Sequence, residues 1–161
     1  VSLFKKKKKV NSDEMARALL DEFIFNDALD TQLDISLDED TTDSYQTKMW
    51  LYRLALVLLV LMTEEQRNVN FAKVRESLEK LIFTMPQEKG SDFLVELKRA
   101  MQALNDLLFS NESPRQMSWA REWLKEIGVE DSNPVRLSLF AGVWMDSYIM
   151  VVNTLRELNP V

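Results

Sequence analysis

The chain has 161 residues, 46% hydrophobic and 29% charged, the size and balance of one globular domain. It contains no His and no Cys, so imidazole and thiolate chemistry, the metal sites built on them and every disulfide are excluded together. Three Gly and four Pro exclude a collagen-like or low-complexity chain, and the apolar fraction excludes disorder of the whole.

The net charge of -6 is unevenly spread. Residues 1–9 carry five lysines, Lys5, Lys6, Lys7, Lys8 and Lys9, and no acid. Residues 10–47 hold eleven acids against the single Arg17, whereas residues 48–161 hold fifteen acids and fourteen bases. The expected organisation is a basic, disordered arm over residues 1–12 and a helical domain over 13–161, with an acidic loop at about 30–44. Val10-Asn-Ser-Asp-Glu follows the lysines where a Sec signal needs an apolar stretch, so export is not expected.

Apolar residues recurring at three and four predict about six helices in chain order. The first runs from about Asp13 to about Leu29 on Met15, Ala18, Leu19 and Phe23. Leu33, Ile35 and Leu37 then alternate with polar residues, but a lone strand would have no partner. The second helix is expected from Tyr45 to about Met62. Thr63-Glu-Glu-Gln has the form of a capping box and predicts the start of a third, which carries Phe71, Val74, Leu78 and Leu81 and stops before Pro86. A fourth begins at Ser91 or Asp92. Ser113-Pro114 opens a fifth, which Gly128 ends, and Asn133-Pro134 opens a sixth reaching about Leu158. The fold class expected is all-α, a single-domain bundle of about six helices with two nearly all-apolar central helices.

Those two are distinctive. Arg53 is the only charge between Met49 and Met62, and Asp146 the only charge between Leu137 and Leu155. The first run is too short to span a bilayer, and the second places Ser138, Asp146, Ser147, Asn153 and Thr154 inside the span. The reading preferred here is a helix pair enclosed by the other four, or one completed in part by another subunit. Gly142 beside Ala141 offers a flat patch for a close crossing. An unpaired buried charge is expensive, so Arg53 and Asp146 are candidates for a structural polar pair; the plainer alternative is that each reaches solvent.

Chemistry would have to come from carboxylates, Tyr or Lys. Acidic pairs such as Asp13-Glu14 and Glu64-Glu65 lie mostly at predicted helix starts, where acids favour the helix dipole. The Glu-x-x-His of di-iron helices cannot occur, and phosphate-binding, nucleophile-elbow and calcium-loop patterns are absent. No catalytic, cofactor or metal residue is assigned. Trp119 and Trp123 interleave with Arg115, Arg121 and Lys125, but their four-residue spacing fits core or partner packing better than nucleic-acid stacking. Trp123-Leu-Lys-Glu-Ile-Gly resembles the opening helix of a sterile alpha motif domain, but the rest of that pattern does not follow, and no family is assigned on it.

The candidate partner-binding residues are therefore Trp119 and Trp123, with Asp38, Glu39 and Asp40 in the acidic stretch facing a basic partner. Leu3, Phe4 and Lys5 to Lys9 form a candidate arm for an anionic membrane or another polyanion, although nucleic acid is not the expected partner. The functional expectation is a non-enzymatic protein-protein interaction module, an adaptor, small chaperone or assembly subunit, with self-association through the sixth helix as one route. The alternatives are a peripheral membrane-associated protein recruited by its polybasic arm and, third, an enzyme using a carboxylate or Tyr. The expected location is cytoplasmic, with the membrane alternative at the inner face.

Overall fold

The computed structural model of the chain describes residues 7–27, 39–84 and 90–161. It is an all-α bundle closed by one pair of very short strands. In chain order these are β1 (Lys8–Val10), α1 (Ser12–Leu19) running into a π-helical turn (Leu20–Ile24), α2 (Glu39–Glu65), α3 (Phe71–Phe83), α4 (Gly90–Leu108), α5 (Ser113–Lys125), α6 (Pro134–Arg156) and β2 (Leu158–Pro160).

α2 is the axis. It packs against α3, α4, α6 and the π-helical turn, while α1 lies on α3 and α5 on α6. Leu54, Ala55, Leu56, Val57, Val60 and Leu61 are all buried, so consecutive residues point into protein in every direction. A helix with no polar face over this length is stable only when neighbours surround it, and α2 has them.

Local chemistry sets the ends. Asn11 Oδ1 accepts from the backbone N–H of Asp13 (2.8 Å) and Glu14 (3.3 Å), and Asn133 Oδ1 accepts from Val135 (3.0 Å) and Arg136 (3.4 Å), so asparagine caps both α1 and α6. Pro134 follows in the first turn of α6, as expected. Gly128, at φ 83°, reverses the chain after α5, and the Val129 N–H reaches back to the Leu124 carbonyl at 2.9 Å.

Three local expectations are corrected. Thr63 does not cap a third helix: its hydroxyl donates to the Leu59 carbonyl at 3.0 Å, one turn back inside α2, and the chain turns over residues 66–70 instead. The first helix leaves α geometry at Leu20 and ends near Phe25, whose N–H bonds five residues back to the Leu20 carbonyl at 3.0 Å. Within residues 1–12, expected as a disordered arm, Lys8–Val10 form a strand and Ser12 opens α1. β1 pairs in parallel with β2, Lys8 beside Leu158 and Val10 beside Pro160, and Ser12 donates twice to the Val161 carbonyl. The alternating stretch from Leu33 to Leu37 lies outside the described residues.

Candidate functional site

The two cations of α2, Lys48 and Arg53, terminate other helices. Arg53 is 2% exposed, and its Nη1 donates to the Ile24 carbonyl at 3.2 Å, at the end of the π-helical turn. It also lies 3.7 Å from Asp27 Oδ1. Asp27 gathers two more α2 donors, Gln46 Nε2 at 2.6 Å and Trp50 Nε1 at 2.9 Å. Three residues on one face of α2 thus converge on one carboxylate just beyond the first helix. A cation at a helix C-terminus also meets the negative end of its dipole.

Lys48 does the same for α5. Its ammonium donates to the Trp123 carbonyl at 2.9 Å, pairs with Glu126 and lies 4.5 Å from the centre of the Trp123 ring. Burial pulls its pKa below the ordinary lysine value, against the opposing pull of Glu126. At the other end of α2, buried Glu64 is met by Arg67 at 3.0 Å and by Arg156 of α6 at 3.3 Å.

The sequence-predicted pair of Arg53 and Asp146 is replaced by separate solutions. Arg53 turns toward the end of the first helix, and Asp146 is exposed on α6, where water solvates it. Each charge therefore escapes burial without a partner by a different route.

Trp119 and Trp123 serve the core. Trp123 is 3% exposed and packs edge-on to Tyr45 and Tyr52, with Phe140 at 4.8 Å and Trp144 at 6.5 Å between ring centres. Trp119 is half-buried, and its indole N–H donates to the Ala103 carbonyl at 2.9 Å, tying α5 to α4. Their expected use as a partner-binding surface is thereby corrected for Trp123, whose ring has no free face to offer. Tyr52 sits inside this cluster, and burial, aided by Glu126, pushes its phenol up to about 12. An open groove of about 690 Å³ runs beside it between α4 and α5, with Asn105, Asp106, Arg115 and Glu122 on its rim. Its charged groups carry both signs. Among the described residues no three acids gather closely enough to hold a metal ion.

Of the other predicted residues, Lys7, Lys8 and Lys9 are exposed at and just before β1. Glu39 and Asp40 open α2, which corrects the expected start at Tyr45 and makes residues 39–44 of the expected acidic loop helical, while Leu3, Phe4, Lys5, Lys6 and Asp38 lie outside the described residues.

Open grooves also lie elsewhere, one of about 960 Å³ between the π-helical turn, α2 and α4, and Phe109 and Val69 are exposed singly. α6 differs in setting several exposed apolar residues on one helix. Its inner face, Leu137, Phe140, Ala141, Trp144, Val151 and Leu155, is buried. Its outer face leaves Val135 66%, Leu139 56%, Ile149 55% and Met150 44% exposed. A shallow groove of about 470 Å³ follows this face past Ser138, Gly142 and Asp146. A Cβ built on Gly142 would meet nothing within 4 Å, so among the described residues the close crossing expected there is not made. Ala141, facing inward, is the small residue against the core. α6 is also long and apolar enough to cross a membrane by length and composition.

Sequence reasoning missed Asp27, Lys48 and Glu64 as organisers. The lone cation in an apolar run did flag Arg53, but Glu64 was hidden inside an apparent capping box. No protein-family model matches the chain, and no curated protein or solved structure matches it either.

Proposed function

We propose that the chain is a non-enzymatic protein-protein interaction module and that it meets its partner through the outer face of α6. The observation that carries the reading is the exposed row of Val135, Leu139, Ile149 and Met150 on a helix whose opposite face is fully used by the core. Several large apolar side chains left exposed on one face of a well-packed helix, here with Asp146 among them, suit an interaction site. The adaptable side chain of Met150 suits a contact surface. Capture from the native cell extract tests it: a protein retained by the wild-type chain and lost with Leu139→Asp is the expected result. Identical recovery with both forms, or none with either, overturns the reading.

A second reading rests on the arm. Lys7, Lys8 and Lys9 are exposed together, and β1 fixes the base of the arm against β2, so a polybasic stretch is presented from a firm mount. Peripheral recruitment to an anionic membrane, at the inner face of a cytoplasmic location, follows from that charge. Pelleting with phosphatidylserine vesicles should fall when Lys5 to Lys9 are replaced by Ser, and equal pelleting eliminates this reading.

A further inference from the structure

We infer that the partner on the outer face of α6 is a second copy of this chain, the two α6 helices crossing antiparallel about Gly142. This rests on the reading of that face as the docking surface and names its occupant. The exposed apolar row is bounded by Pro134 and Met150, and Gly142 is the midpoint between them. A two-fold axis at Gly142 sets each residue opposite the one equally far on the other side. Val135 then meets Ile149 of the second copy, and Pro134 meets Met150. An interface between identical copies must be self-complementary in this way.

The polar residues obey the same register. Ser138 and Asp146 stand four residues to either side of Gly142, about 6 Å along the axis at 1.5 Å per residue. In the antiparallel pair the Ser138 hydroxyl donates to the Asp146 carboxylate of the other copy, twice over by symmetry. Asp146 is the feature that separates this occupant from a lipid surface. Acyl chains against this face would desolvate a carboxylate and supply no donor, whereas the second copy supplies one at the matching height. At the axis, the open space over Gly142 admits another backbone. A single helix pair makes a small interface, so the association is expected to be reversible and concentration-dependent.

Gly142→Leu separates dimer from monomer. Its Cβ meets no described atom within 4 Å, and leucine is the better helix former. Sedimentation velocity of the full chain, carried into the high micromolar range, should show a monomer-dimer equilibrium that Gly142→Leu weakens about tenfold or more. Melting of the diluted variant should be unchanged or higher. Because the chain has no cysteine, introduced thiols give an independent readout. A mixture of Val135→Cys and Ile149→Cys chains should form the mixed disulfide in preference to either homodimer.

A wild-type chain that stays monomeric throughout overturns the inference, as does preferential linking of Val135→Cys to itself. If such a monomer still loses a captured protein on Leu139→Asp, the docking face stands and only the second copy is rejected as its occupant.

Discussion

α2 and α6 carry apolar runs of similar make-up, each interrupted by a single charge, yet one is enclosed and the other is half bare. On α2, Leu54 to Val57 are at most 4% exposed, and the interrupting charge, Arg53, is buried and engaged with the end of the first helix. On α6, Leu139 and Ile149 are more than half exposed, and the interrupting charge, Asp146, points outward among them. Apolar composition states that a helix needs neighbours; it does not state which molecule provides them. The position of the charge is more informative. An arginine with a long apolar stem and five donors can be enclosed if it ends another helix. A short aspartate has no such reach, and it marks the side that the chain leaves uncovered.

The largest effect should come from putting a charge inside α2. Leu56 is 0% exposed, and Leu56→Asp would bury an unpaired carboxylate where no donor waits. A loss above about 4 kcal/mol is expected, enough to abolish the cooperative unfolding transition of an ordinary domain. A normal thermal transition for this variant would mean that α2 is not the enclosed axis. Next comes Asp27→Ala, which strips one acceptor from Gln46, Trp50 and Arg53 together. Hydrogen bonds to charged groups contribute about 1.5–3 kcal/mol each in net terms and do not add fully. A total near 2–3 kcal/mol, seen as a lower denaturant midpoint at unchanged slope, is the expected outcome. A change below about 0.5 kcal/mol would show that Arg53 ends the first helix without help from Asp27.

The residues that made the bundle legible in sequence act locally. Apolar spacing marked the helices, Asn133-Pro134 marked the start of α6, and Gly128 marked the left-handed stop after α5; each works within a few residues of itself. What escaped notice depends on residues far apart in the chain. β1 is recognisable as a strand only because Leu158–Pro160 lies beside it, and a three-residue segment carries no periodic signal of its own. Thr63 looked like a cap because Thr and a glutamine three residues later suit a helix start, but the apolar drive of α2 carried the helix through it to Glu65. The π-helical turn is likewise a tertiary product: it brings the Ile24 carbonyl to Arg53. Two lone charges invited pairing with each other, and sequence alone held no record that a helix end stood nearer to one of them.

Alkaline titration probes the inner side of the comparison more gently. Tyr52, among the aromatic rings where α2 meets α5 and α6, has its phenol raised to about 12. The unfolded chain releases this proton near pH 10, so above that pH the unfolded state holds fewer protons than the folded one. Stability contributed by this group is therefore intact below pH 10 and declines as pH rises toward 12. Ultraviolet difference titration should show a late-ionising component that Tyr52→Phe diminishes. A wild-type titration complete near pH 10 would place Tyr52 in contact with water.

The smallest effect belongs to α6 and carries the most information about it. Leu139 is 56% exposed, so in dilute solution Leu139→Ser removes little buried surface and should leave the unfolding free energy within about 0.5 kcal/mol of wild type. The same change should matter as protein concentration rises. Ligand binding to the folded state alone raises apparent stability by mass action, and a second copy docked on α6, as inferred above, would act as such a ligand. The wild-type melting temperature should therefore climb with concentration while that of Leu139→Ser stays flat. A destabilisation present equally at every concentration would mean that Leu139 packs within its own chain, and the outer face of α6 would then belong to the fold as α2 does.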